Sequence, residues 1–469
     1  MQESIRKIHF IGVGGVGMSG IAHVAAEQGY RVSGSDLRQS SYTKQLGAAG
    51  VTVFIGQKAE NIEAVKPDIV VVSTAILENN PELVAAKEAG IPIWHRAMML
   101  AYLGRGLQTL AVAGTHGKTT TSSMLASTLD ALGDDPTFLI GGIVRAYGSN
   151  AHRGEGEYYV VEADESDKSF TYLSPASVLV TNIEADHLDH YSGLTEIYSL
   201  FEEFMASIPE EGNCVVCGDD VALVEVAAKT GRKVTTYGFG EACDAALSNY
   251  ASHGVSTSFD LRLPDGTLVH AGVKQNPGRH NALNAAGVIT LLWREGFDPQ
   301  KAANALSGFA GVRRRFDLVG EVDGITIVDD YGHHPTEIAA TLAAAKALDF
   351  KRVHIVFQPH RYSRVKLFTE VLKDEFASAF DDADTVTFMD VYPAGEMPVP
   401  GVNGATFMQV VLDHAGHPAD TRYVERRQEV VPYLVSKLAA GDLLLTMGAG
   451  DVTAIGPEVL QALKERAEA

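Results

Sequence analysis

Apolar residues in this chain gather in short runs, and most runs are followed by a longer stretch in which apolar and polar positions recur at helical spacing. That alternation predicts parallel strands joined by crossover helices. In the first hundred residues IHFIGV (8–13), RVSGSD (31–36), DIVVVSTA (68–75) and IPIW (91–94) read as strands. A second cycle starts with TLAVAG (109–114) and the helix TTTSSMLASTLDALG (119–133), followed by the strands EYYVVEAD (157–164), SVLVTNIEA (177–185) and NCVVCGDD (213–220). Within it STSFDLRLPDGTLVHAGV (256–273) alternates around the turn PDG and reads as an antiparallel piece. A third cycle holds ITIVDD (325–330), the helix HPTEIAATLAAAKAL (334–348), RVHIVFQPH (352–360), ADTVTFMD (383–390) and DLLLTMGAG (442–450). The reading is an α/β protein of three units, 1–107, 108–312 and 313–469. The joints fall near HRAMMLAYLGRGLQ (95–108) and SGFAGVRRRF (307–316), where strand patterns stop and Gly and Arg accumulate.

Length supports this division, because 469 residues exceed one ordinary core and suggest about three. A hydrophobic content of 46% with 21% charged residues excludes a disordered chain. The net charge of −21 argues against nucleic acid as a partner, since phosphate contacts need a basic face. Of the three cysteines, Cys214 and Cys217 form a lone C-x-x-C and Cys243 has no histidine pair nearby, so they read as free thiols and not as a zinc site. With no disulfide framework, no secretory pattern at MQESIRKIHF and no apolar run near ~18 residues, a cytoplasmic enzyme without membrane insertion is expected.

Two glycine loops carry the chemistry. GVGGVGMSG reads G-x-G-x-x-G at Gly12, Gly14 and Gly17, directly after a strand and before a helix, with Asp36 at the end of the next strand. Such a turn brings backbone N–H groups and a helix N-terminus to a diphosphate, and the acid suits a ribose. Alone, this loop fits a nicotinamide dehydrogenase, or a tight turn with no ligand. AVAGTHGKTTTSS (111–123) is nearly a Walker A loop, but Val112 stands where the usual pattern has Gly and the glycine comes at Gly114. Its strand-to-helix context still converges backbone N–H groups on phosphate, with Lys118 for the β and γ phosphates and Thr119 for Mg²⁺. Plain helix capping is the bland alternative.

Polar clusters end the following strands. EADESDKSF supplies Glu162, Asp164, Glu165 and Asp167, one of them expected to hold Mg²⁺; TNIEADHLDH supplies Asn182, Asp186, His187, Asp189 and His190. GRHNALNA contains His280, Asn281 and Asn284; GVRRRFD contains Arg313, Arg314 and Arg315. DDYGHHPTE contains Asp329, Asp330, Tyr331, His333 and His334, and FQPHRYSR contains His360, Arg361 and Arg364. Each member alone reads as a solvated or capping residue; arginine forks at strand ends suit carboxylate or phosphate.

In this order the motifs resemble the Mur ligases of peptidoglycan synthesis, most specifically the alanine-adding branch, over essentially the whole chain. The resemblance implies a Rossmann-like N-terminal domain for a UDP-sugar, a central P-loop ATPase domain with a mostly parallel sheet, and a Rossmann-like C-terminal domain for the amino acid. It implies that Gly12, Gly14, Gly15, Gly17 and Asp36 meet the UDP diphosphate side, not NAD. Gly114, Thr115, His116, Gly117, Lys118, Thr119 and Thr120 would hold ATP, with Asn281 near adenine, Arg315 at the phosphates and Asp330 at the ribose. Thr119, Glu162 and His187 would serve Mg²⁺, with Lys118, Glu162 and His187 as the catalytic set. Tyr331, His360, Arg361 and Arg364 would hold the amino acid. The implied reaction joins L-alanine to the lactyl carboxylate of UDP-N-acetylmuramate through an acyl phosphate, in a monomer or homodimer. The stretch YSGLTEIYSLFEEFM (191–205) has no lysine, so the carbamylated lysine of other branches is not expected. The rival readings are a ligase recycling murein tripeptide or another Mur ligase adding a later residue, a nicotinamide dehydrogenase, and a silent ATP-binding regulator.

Overall fold

A computed structural model of the chain describes residues 5–166, 168–186, 191 and 193–468. Its strands form three sheets. The first has five parallel strands in the order Thr52–Ile55, Arg31–Asp36, Lys7–Ile11, Ile69–Val72 and Ile93–His95. The strand order therefore reverses beside Lys7–Ile11, and Gly12 stands at that switch point, where open α/β sheets place ligands. Ile11, Ile62, Val70, Leu83 and Ala86 form a core on this sheet.

The second sheet has ten strands, ordered Leu268–Val273, Ser256–Arg262, Ala245–His253, Val234–Gly238, Cys214–Cys217, Ser177–Val180, Gln108–Ala113, Tyr158–Glu162, Thr137–Val144 and Ser149–His152. Gln108–Ala113 runs parallel to both neighbours, with Val112 opposite Glu162 and Ala113 opposite Val180. The loop at Gly114 thus opens between the ends of two strands that carry polar groups. The third sheet runs Asp317–Val322, Ile325–Asp330, Asp442–Met447, Arg352–Phe357, Thr385–Phe388 and Asp420–Tyr423, and its first strand is antiparallel to the second. Ile325, Ile327, Val356, Leu444, Val452 and Ile455 belong to its core.

The chain makes two compact units: residues 1–247, 261–269 and 283–309, and residues 248–260, 270–282 and 310–469. The first sheet and most of the second share a unit, joined by contacts such as the bond from Asn150 Nδ2 to Val16 O at 3.0 Å. The apolar runs match strands where they are most buried. The strands that the pattern did not announce include Thr52–Ile55, Val234–Gly238 and Asp420–Tyr423, which are short and mostly only partly covered, and also Thr137–Val144, Ser149–His152, Ala245–His253 and Asp317–Val322. The expected joint at 95–108 is largely a helix, Arg96–Leu103, because its alanine, methionine and leucine content favours one. Among the described residues, no helix is long and apolar enough to cross a membrane.

Candidate functional site

At the first glycine loop, Gly12 N and Val13 N both donate to Ser35 O, at 2.8 and 2.9 Å, and Gly12 has φ +80°. Gly14 N donates to Asp36 Oδ2 at 2.9 Å, and a Cβ at Gly14 would lie 2.8 Å from that oxygen. Asp36 therefore shapes the loop as well as facing it; the sequence offered no sign of that second task. Gly15 caps the helix Val16–Glu27 without a side-chain bond, which leaves its first N–H groups available to an anion. Arg96 stands close by, with Nη1 3.6 Å from where a Cβ on Gly17 would be.

The second loop is packed against the next strand. Gly114 has φ +130°, and a Cβ there would fall 2.1 Å from Thr181 Oγ1. Thr115 N donates to Asn182 O at 3.1 Å, His116 N donates to Asn182 Oδ1 at 2.8 Å, and Thr181 Oγ1 donates to His116 O at 2.6 Å. Gly117 at φ +83° then turns the chain into the helix Lys118–Ala131, in which Thr119 and Thr120 are buried. Val112 is fully buried in the strand, so the apolar residue at the Walker glycine position belongs to the sheet and the turn begins two residues later.

Lys118 Nζ folds back on its own loop, donating to Gly114 O at 2.6 Å and Thr115 O at 3.1 Å, and pairs with Glu165 at 2.9 and 2.8 Å. Burial alone would depress its pKa, but Glu165, Asp164 and Glu162 outweigh that and hold it above the ordinary lysine value. Burial pushes the Glu165 carboxyl up to about 7 against the pull of Lys118. Burial would also raise Asp164, yet Lys118 and Arg96, whose Nη2 lies 2.9 Å away, hold it down at about 2. Glu162 takes the remaining side of the loop: Oε1 accepts from Thr119 Oγ1 at 3.0 Å, and Oε2 accepts from Gly141 N at 2.7 Å. Sequence reasoning named Glu162, Lys118 and Thr119 and offered Glu165 only as one of four candidate Mg²⁺ carboxylates, not as the partner of Lys118; it missed Arg96, whose only signal was position beside the motifs. His187, named for the metal, lies outside the described residues, as do Asp167, Asp189 and His190.

In the second unit, Asn281 is buried near the start of the helix Arg279–Arg294 and donates to Pro277 O at 2.8 Å. Both Asp330 oxygens accept backbone N–H groups, from Gly332 at 2.7 Å and Phe316 at 2.8 Å, and burial raises its carboxyl to about 6 despite Arg315. Arg315 lies 3.4 Å from Glu337 and over the Tyr331 ring, with Arg314 on the same ring. His360 contacts His333, which contacts Tyr331. Burial, with Arg364 and Arg361 adding to it, lowers His360 to about 4, so this imidazole is neutral at pH 7. Arg361 and Arg364 flank it on the turn Tyr362–Arg364. The helix Pro335–Lys346 begins with a capping box in which His334 and Glu337 satisfy each other's backbone ends.

The residues present suit a nucleotide phosphate with a hard divalent ion. The Gly114 and Gly117 turns take positive φ and pack against Thr181 and Asn284 with no space for a Cβ, Lys118 supplies a part-buried cation, and a hydroxyl and a carboxylate stand 3.0 Å apart as oxygen donors.

Comparison with known proteins bears on the same residues. Three family profiles match in succession: Mur ligase family, catalytic domain, over residues 7–107; Mur ligase middle domain over 112–292; and Mur ligase, glutamate ligase domain over 314–450. A UDP-N-acetylmuramate–L-alanine ligase of Nitratidesulfovibrio vulgaris is 46% identical over 460 residues, covering 97% of this chain and 98% of that one. The ligase of that name from Myxococcus xanthus is 44% identical over 458 residues, with 98% and 95% covered. Among solved structures, UDP-N-acetylmuramate-alanine ligase from Thermotoga maritima superposes with a TM-score of 0.81 at 30% identity, covering 98% and 99%. A murein peptide ligase from Psychrobacter arcticus gives 0.70 at 26% identity, covering 98% of each chain.

Proposed function

We propose, from the premise that this chain belongs to the Mur ligase family, that it is an ADP-forming ligase that uses ATP to join L-alanine to the lactyl carboxylate of UDP-N-acetylmuramate, in peptidoglycan synthesis in the cytoplasm. The observation that carries the reading is the Gly114–Thr119 loop, with Lys118 held among Glu165, Asp164 and Glu162.

A carboxylate resists attack by an amine until it carries a leaving group. Transfer of the ATP γ-phosphoryl to the lactyl carboxylate makes an acyl phosphate; the alanine amine, once deprotonated, attacks that carbonyl, and phosphate departs from the tetrahedral intermediate. Backbone N–H groups of residues 114–120 orient the ATP phosphates. Lys118, on leaving Glu165, offsets the charge that gathers on the transferred group, which is a positioning and electrostatic task. Thr119 and Glu162 would hold Mg²⁺, which shares that charge when bound, and we assign His187 to the same ion. The loop at Gly12, Gly14, Gly15 and Gly17, closed by Asp36, takes the UDP diphosphate. Asn281, Arg315 and Asp330 serve the nucleotide, and Tyr331, His360, Arg361 and Arg364 hold the amino acid, the arginines on its carboxylate. The units 1–107, 108–312 and 313–469 divide these tasks.

Phosphate release measured with ATP, UDP-N-acetylmuramate and L-alanine omitted in turn tests the reading. Release that needs all three supports it. Equal or faster turnover with murein tripeptide in place of L-alanine would assign the peptide-recycling reaction instead, and tight NADH binding without phosphate release would remove the ligase reading.

A further inference from the structure

Of the three arginines in GVRRRFD, Arg314 carries no task in the reading above, yet it alone of the three takes positive φ, at +62°. A non-glycine residue in the left-handed region carries a steric cost and persists where its neighbours enforce it. Both of its backbone groups are held: N donates to Asp317 Oδ2 at 3.0 Å, and O accepts from Tyr331 N at 2.7 Å. Glycine would take this turn more cheaply, so the cost points to a task for the side chain.

That side chain ties together the ends of two neighbouring strands. Nη2 donates to Gly448 O at 2.6 Å and to Gly450 O at 3.3 Å, Nε stands 3.4 Å from Asp329 Oδ2, and the guanidinium carbon lies 4.8 Å from the centre of the Tyr331 ring. Asp329 is buried and anchored in turn, its oxygens accepting from Thr446 Oγ1 and Thr453 Oγ1, both at 2.6 Å. Those two hydroxyls stand on either side of the Gly448–Gly450 turn in the chain.

The turn has a central place in its sheet. Asp442–Met447 runs parallel between Ile325–Asp330 and Arg352–Phe357, so its end falls between the Tyr331 segment and the segment that carries His360, Arg361 and Arg364. It is bonded on both sides: Gly448 N donates to Asp330 O at 3.2 Å, and Gln358 N donates to Met447 O at 3.0 Å. Nη2, Nε and the ring-facing side of Arg314 are committed within the protein. That suits a residue that acts through its neighbours and not by touching a substrate.

We propose that Arg314 is a positioning residue for the incoming amino acid, fixing Tyr331 and the Gly448–Gly450 turn at the spacing the amino-acid site needs. This rests on the assignment of Tyr331, His360, Arg361 and Arg364 to the amino acid. A lysine at this position keeps the charge but lacks the planar fork that reaches two carbonyls and a carboxylate at once.

The test compares the full-length protein with Arg314→Lys and Arg314→Ala, measuring phosphate release while L-alanine, ATP and UDP-N-acetylmuramate are varied in separate series. Thermal melting and ADP binding by calorimetry check that each variant is folded. Expected in Arg314→Ala is a rise of about tenfold or more in KM for L-alanine, the scale of one lost charge-assisted hydrogen bond. The KM values for ATP and UDP-N-acetylmuramate stay within about twofold of wild type. Arg314→Lys, which supplies a readout should the alanine variant not fold, falls between. An unmoved KM for L-alanine in either folded variant overturns the proposal, and so does a rise shared equally by all three substrates, which a merely structural role would produce. Failure of the wild type to release phosphate on L-alanine would instead overturn the reaction assigned above, so the two failures are separate.

Discussion

Lys118 Nζ pairs with Glu165, and that contact competes with any phosphate the ammonium would meet. Glu165→Gln removes the competing charge, so ATP affinity measured by calorimetry at pH 8 is expected to rise several-fold. With the Glu165 carboxyl up at about 7, the carboxylate is charged above that pH and protonated below it. The gap between variant and wild type should therefore close as pH falls to 6; a gap independent of pH would contradict the competition. Lys118→Met is expected to cut phosphate release by roughly 10²–10³-fold or more, the scale of losing one preorganised electrostatic contact in a closed site. A loss below about tenfold would move the main stabilising charge elsewhere.

At the scale of elements, the legible parts of the sequence were those governed by local rules. The two glycine loops could be placed because strand, turn and helix N-terminus follow one another in the chain, and Gly114 and Gly117 do take positive φ. The helix Pro335–Lys346 begins at its proline for the same reason. What could not be read depends on residues far apart in sequence. Arg96 meets Asp164, and Tyr392 meets His360, only because tertiary packing brings their elements together. Asp330, which the sequence alone reads as a solvated or capping residue and the resemblance places at the ribose, likewise has both its oxygens engaged by backbone N–H groups. Short edge strands such as Asp420–Tyr423 escaped because DTRY has no apolar periodicity to show. Capping is a testable local rule: Asn80 accepts from Glu82 N and Leu83 N ahead of the helix Pro81–Glu88. Asn80→Ala is expected to lower stability by about 1 kcal/mol in denaturant melts, with no change in helix boundaries.

For the molecule as a whole, two groups of the second unit set opposing trends in stability with pH. Burial, with Arg315 adding to it and Glu337 opposing, lowers His280 to about 4, so between about 4 and 6.5 the unfolded chain binds the extra proton and stability is lost as pH falls. Asp330, raised to about 6, acts the other way: between 3.8 and 6 the folded chain binds the proton, and stability falls as pH rises. Thermal melts of His280→Asn should therefore show stability declining from pH 4 to 6 more steeply than in the wild type; a parallel profile would remove His280 from the balance. The division into units has a further consequence, one of timing. The first unit is closed by residues 283–309, whereas the five-stranded sheet ends at His95. A chain leaving the ribosome can lay down that sheet early, but it must be about two-thirds made before the unit that contains the phosphate loop can close, which takes tens of seconds at ordinary translation rates. Throughout that interval the half-built central sheet has unpaired strand edges, and synonymous codon changes before residue 309 are expected to act on yield without altering a single side chain.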